Sequence, residues 1–135
     1  MHLETSSGSS GTASYLTSEV LSGVTAVSFW YHCYGGGIGS LSVEIKSPAN
    51  SGSWVTLSTV CDSSTTSSNL WYSKAISTHS YQYSSLQVRF KGVRGSNYQG
   101  DVAVDDVAIT RIGPPCRPCL PCPVSTFKPS VGDVG

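Results

Sequence analysis

The sequence predicts an all-β protein, an antiparallel β-sandwich followed by an irregular Pro- and Cys-rich tail, and three observations carry that prediction. Apolar residues alternate with polar ones at a period of two in several separate runs, the signature of strands with one buried face. Gly, Pro, Asn and Ser clusters separate those runs at short intervals, as in a meander of short strands. No stretch sustains a helical period.

The elements follow in order. Met1 to Glu4 reads as the remains of a strand, and Thr5 to Thr12 as a Ser/Gly loop. Ala13 to Leu21 is a short polar–apolar segment ending at Ser22-Gly23. From Thr25 to Tyr34, Val27, Phe29, Tyr31 and Cys33 share one face, with Trp30, His32 and Tyr34 on the other. Aromatic and β-branched enrichment favours a strand there. Gly35 to Gly39 is a glycine-rich turn, and Leu41, Val43 and Ile45 alternate with Ser42, Glu44 and Lys46 beyond it. The two strands and this turn read as a long hairpin. Ser47 to Gly52 is a turn, Trp54 to Val60 a strand, Asp62 to Asn69 a polar loop, and Leu70 to Ile76 and Tyr81 to Phe90 two further strands. Leu86, Val88 and Phe90 point one way, Gln87 and Arg89 the other. The strict alternation predicts Phe29, Tyr31, Leu41, Val43, Val88 and Phe90 between the two sheets.

The stretch from Phe90 to Ile109 organises the rest. Gly92, Gly95 and Gly100 punctuate it, and Val102, Val104, Val107 and Ile109 resume the apolar pattern around Asp105 and Asp106. The change of parity between Val104 and Val107 predicts a β-bulge at the two acids. Carboxylates inside a valine-rich strand need partners. Asp106, in preference to Asp105, is expected to be buried and to accept several hydrogen bonds or a cation.

Composition bounds the function classes. At 135 residues the chain suits one domain with a real core. Lys plus Arg equals Asp plus Glu at eight each, and charged residues make up only 12%, so nothing steers the chain to nucleic acid or an anionic membrane. No apolar run is long enough to span a membrane. Gly35-x-Gly37 is followed by Ser40 and a strand rather than a helix, which excludes a dinucleotide loop. No Gly-x-Ser-x-Gly occurs, and His2, His32 and His79 lie scattered without a catalytic spacing.

Two ordered blocks carry a family resemblance. VRGSNYQGDVAVDDVAI, ending at Ile109, resembles the closing signature of MAM domains, and VSFWYHCYGGGIGSLSV, from Val27 to Val43, resembles their central strand and turn. The opening LETSSGSSGTASYLTSEVL is similar as well, so the resemblance runs from Leu3 to Cys116. It implies a jelly-roll sandwich over residues 1–115 whose first strand is missing, then a linker or tail over 116–135. The family consists of extracellular modules, while the N-terminus shows no apolar signal-peptide core. The chain is therefore expected to be a fragment or an incomplete gene model.

The resemblance frames the acids and the cysteines. Some MAM domains are reported with a bound cation, so Asp105 and Asp106 are candidate ligands of a structural Ca²⁺, which suits carboxylate and carbonyl oxygens. The plainer reading has one acid satisfying backbone amides at the bulge, or pairing with Arg94 or Arg111. Beyond that structural ion no cofactor is expected. In the family a cysteine opening the central strand pairs with one just after the last strand. Cys116 matches the second position, but the first falls at Ala26. Cys33, where the family usually has Met, lies seven residues further on, about 23 Å along a strand, too far for a bridge. The expectation is that Cys33 is a buried core thiol and that Cys116 bonds Cys119, Cys122 or another chain; Cys61 is assigned the same freedom. Cys116, Cys119 and Cys122 also match part of an iron–sulfur or zinc motif, but no Cys or His follows in the tail to complete it.

The functional expectation is a non-catalytic extracellular protein-binding or adhesion module of a larger cell-surface or secreted protein, with homophilic or heterophilic protein partners. Tyr34, Trp71, Tyr72, Tyr81, Tyr83 and Tyr98 are candidate contact residues. The alternative is a carbohydrate-binding jelly roll, with Trp30, Trp54 or Trp71 stacking on sugar rings. Two or three aromatic faces on one exposed surface would favour it.

Overall fold

A computed structural model describes residues 2–3, 9–65, 67–81 and 84–113. Among these, nine strands form: β1 (His2–Leu3), β2 (Ala13–Thr17), β3 (Leu21–Ser22), β4 (Val24–Tyr34), β5 (Ser40–Lys46), β6 (Trp54–Cys61), β7 (Ser68–Ser77), β8 (Ser85–Val93) and β9 (Asp101–Arg111). One sheet runs β1-β9-β4-β7; the other runs β2-β8-β5-β6, with β3 also on β8. All pairings are antiparallel. The two sheets make an antiparallel β-sandwich consistent with the jelly roll of the resemblance.

The alternation read from the sequence is the burial seen in the fold. Phe29, Leu41, Val43, Val88 and Phe90 are buried, together with Val24, Val27, Ile45, Leu86, Val102 and Val104. Tyr31 is half-buried and packs against this core. Phe29 of β4 meets Phe90 of β8 edge to face across the sandwich, with ring centroids 4.8 Å apart. The short strand at His2–Leu3 pairs with Val102 and Ala103 of β9.

The expected hairpin through Gly35 to Gly39 does not form. β4 and β5 lie in different sheets, so this turn carries the chain across the sandwich. Alternation shows which residues of a strand are buried but not which strand lies beside it, and a crossover reads like a hairpin. The glycines serve the crossover. At Gly35, with φ of 108°, an added Cβ would overlap the Gln99 carbonyl, and at Gly95 it would overlap the Gly37 carbonyl. The two glycine-rich segments therefore touch backbone to backbone, which only glycine permits.

The cysteine expectation is corrected as well. Cys33 and Cys61 form a disulfide with Cα atoms 6.7 Å apart, within the span such a bridge tolerates. Neither is a free thiol. The distance along β4 separates Cys33 from the position of Ala26 but sets no limit on a bridge to Cys61. Cys61 instead ends β6, which pairs with β5 so that Cys61 stands opposite Leu41. The bridge joins the sheet of β4 to that of β6 through the core. Cys116, Cys119, Cys122 and the proposed boundary at 115/116 lie outside the described residues, as does Tyr83.

The polar turns match expectation. Ser47 caps a 3-10 turn at Pro48–Asn50, with Asn50 bonding back to the Ser47 amide in a capping box. In the loop after β6, the Asp62 carboxylate accepts bonds from the Ser64 hydroxyl and amide, at 2.6 and 2.9 Å. The Ser64 hydroxyl bond, with help from its amide, holds the Asp62 carboxyl below its ordinary pKa.

The outer face of the second sheet holds a cluster that alternation alone does not disclose. Arg89 bonds Glu44 at 2.6 Å and lies between the rings of Tyr15 and Trp54, 4.5 and 4.0 Å from their centroids. Glu44 is buried despite facing outward, because β8 places Arg89 directly beside it and the ring-flanked guanidinium covers it. Replacing Glu44 with Ala strands this cation, and the expected cost in a urea melt is about 1.5–3 kcal/mol, the worth of a charge-assisted bond. Arg89→Lys should recover little of an Arg89→Ala loss, since an ammonium lacks the plane that both rings contact.

Candidate functional site

The outer face of the β1-β9-β4-β7 sheet gathers several of the exposed aromatic residues. Period-two alternation on β4 sends Trp30, His32 and Tyr34 outward once Phe29, Tyr31 and Cys33 are committed to the core. Trp30 and Tyr34 are 44% and 46% exposed, and Trp71 of β7 is 45% exposed. The His32 ring lies 5.4 Å from the Trp71 ring and 6.0 Å from the Tyr34 ring, tilted by 33° and 34°. Its Nε2 is 3.2 Å from the Asn69 side-chain oxygen, which orients the imidazole. Two strands thus present a row of aromatic planes on one surface.

The predicted bulge is present at the acids. The β4–β9 register shifts between Ser28 and Trp30, so that Asp106 and Val107 face the single residue Phe29. The expectation of burial is not met: both Asp105 and Asp106 are exposed. A bulge leaves its extra residue outside the ladder and redirects side chains, so the valine-rich context does not carry the acids inward. Asp106 takes the left-handed conformation, with φ of 48°, and Asp105 Oδ1 accepts the Asp106 amide at 2.8 Å. Asp105 therefore fills the plainer role of satisfying a bulge amide. The Arg111 guanidinium bonds the Ser22 carbonyl rather than an acid. No group of three or more His, Cys, Asp or Glu side chains converges among the described residues.

Beside Trp30 the bulge opens a shallow depression of about 220 Å³ lined by Ser28, Phe29, Trp30, Ser73, Lys74, Ala75 and Asp106. Asp105 stands opposite Trp30 on β9, and Ser73 opposite it on β7. Of the three tryptophans considered as sugar platforms, Trp30 and Trp71 share this face, whereas Trp54 belongs to the other sheet, over Arg89. Tyr72 and Tyr98 are exposed and Tyr81 is half-buried. Sequence reasoning had Trp30, His32 and Tyr34 on a common face; the pairing of Trp71 with His32 needed the register of β7.

The glycine crossover and the bulged Asp105-Asp106 strand lie within the stretch that a family model matches. The model of the MAM domain, meprin/A5/mu, matches residues 1–117. The chain belongs to the MAM family. This MAM domain is 41% identical over 86 residues to the rat MAM domain-containing glycosylphosphatidylinositol anchor protein 1, covering 63% of the chain and 8% of that protein. The chicken protein of the same name is 35% identical over 99 residues, covering 70% of the chain and 10% of the relative. MAM domain-containing glycosylphosphatidylinositol anchor protein 2 of mouse is 34% identical over 82 residues, covering 61% and 8%. The MAM domain thus spans about a tenth or less of these curated relatives. Among solved structures, the K2 cleaved adhesin domain of Lys-gingipain overlays 71% of the chain and 62% of its own length at 20% identity, with a TM-score of 0.49, too loose a likeness to argue from.

Proposed function

We propose that this MAM domain is a non-catalytic extracellular adhesion module of a larger cell-surface or secreted protein, engaging protein partners that include a second copy of itself. The single observation that carries the reading is the exposed pair of Tyr34 and Trp71 flanking His32 on one sheet face. Exposed tryptophan and tyrosine on a flat face are the residues from which binding hot spots are made. Membership of the MAM family and relatives named for a glycosylphosphatidylinositol anchor support a cell-surface setting.

The test is adhesion itself. The domain, clustered on fluorescent beads, should aggregate with like beads or bind vertebrate cells. A Tyr34→Ser/Trp71→Ser variant with an unchanged melting temperature should do neither. Wild-type beads that stay dispersed and bind no cells would rule the reading out, as would full adhesion by the variant.

A further inference from the structure

We infer that the Trp30 end of this face is a saccharide site that takes a neutral sugar, the glycan of a partner or a free oligosaccharide. The inference shares the extracellular setting of the adhesion reading but does not need bead adhesion to occur. A pyranose ring presents an apolar face of C–H bonds and a rim of hydroxyls. Its recognition calls for an exposed aromatic plane with acceptors and donors standing at the edge of that plane. Trp30 supplies the plane, 44% exposed at the centre of the sheet. Asp106 lines the depression beside it, with the Ser28 and Ser73 side chains and Lys74. The Asp106 carboxylate makes no hydrogen bond or ion pair with another described side chain, so its oxygens remain available to sugar hydroxyls.

The bulge is what brings these groups together. In a regular strand the residue after Asp105 would face the core, whereas the extra residue in left-handed conformation sets Asp106 at the depression. Aspartate tolerates that conformation better than most residues. Further along β4 the planes of His32, Tyr34 and Trp71 continue the row. Trp30 to Tyr34 spans about 13 Å at strand spacing, room for more than one ring of an extended oligosaccharide.

The surroundings favour sugar over a protein contact at this end. The core of a protein interface is depleted in charged residues. Here the depression beside Trp30 holds Ser28, Ser73, Lys74 and Asp106 with Phe29 and Ala75, and Asp105 stands opposite Trp30 on β9. The charge selects the sugar class. Asp105 and Asp106 against one lysine leave the site negative, which disfavours sialylated or sulfated chains and favours neutral hexose or N-acetylhexosamine units.

The experiment is a titration of the disulfide-intact protein with defined oligosaccharides, followed by tryptophan fluorescence and by a glycan array. Neutral oligosaccharides should bind, and a sialylated chain of the same core and heparin should not. Trp30→Ala should weaken binding about tenfold or more, the loss of one aromatic contact. Asp106→Gly, which keeps the left-handed backbone without strain, should weaken it as well at an unchanged melting temperature. No response to any neutral oligosaccharide at millimolar concentration overturns the site. Binding indifferent to both substitutions, or a preference for acidic chains, also overturns it. Cell adhesion that survives enzymatic removal of glycans and depends on Tyr34 and Trp71, together with no response to any neutral oligosaccharide, overturns the sugar while leaving the adhesion module standing.

Discussion

Replacing both Cys33 and Cys61 with alanine should lower the unfolding free energy by about 3–4 kcal/mol, the loop-closure value for a bridge of this span. The two cysteines are 28 residues apart in sequence and stand in opposite sheets, so the link confines the unfolded chain while tying the folded layers together. Urea melts of wild type and of the Cys33→Ala/Cys61→Ala double variant read the effect directly, and the slope with urea should rise in the variant because its denatured chain opens further. Reducing the wild-type protein should reproduce the loss. Coincident oxidised and reduced midpoints would contradict the prediction. Peptide mapping without reductant gives an independent check, since it should recover a Cys33–Cys61 linked peptide; a Cys33–Cys116 peptide would show a different strand arrangement.

Phe29→Ala should cost about 3–5 kcal/mol, the range for truncating a buried phenylalanine. Phe29 is 2% exposed and meets Phe90 across the sandwich, so its removal leaves a void where the sheets face each other. The adjacent residue provides the control. Trp30, a larger side chain on the same strand, faces outward, and its truncation to alanine should stay within about 1 kcal/mol of wild type, as for most surface changes. Equal losses at the two positions in a thermal or chemical melt would mean that the register of β4 is wrong by one residue, since such a slip exchanges the two faces.

The cluster around Arg89 and the aromatic row of the other sheet show how differently two outer faces of one sandwich can be used. On the second sheet the charged and aromatic groups satisfy one another: Glu44, Arg89, Tyr15 and Trp54 close into a single cluster. On the first sheet Trp30 and Asp106 stand exposed beside the same depression.

Much of this architecture was legible from short-range pattern. Val27, Phe29, Leu41, Val43, Val88 and Phe90 alternate with polar neighbours, and the pleat converts alternation directly into inside and outside. The parity change between Val104 and Val107 located the bulge for the same reason, because an inserted residue must shift the pattern. The family blocks around Phe29 and Asp105 were legible too, and the match over residues 1–117 agrees with them. What tertiary structure alone decided were the relations between strands. Whether β4 and β5 pair or face each other depends on the path of the glycine turn, which alternation does not encode. The Cys33–Cys61 bridge depends on β6 ending opposite Leu41, and the Arg89–Glu44 pair on the register of β8 against β5. The exposure of Asp106 depends on which way a bulged residue turns once it leaves the ladder. Local sequence sets the period and the faces of each strand; only the packing of distant strands sets which faces meet.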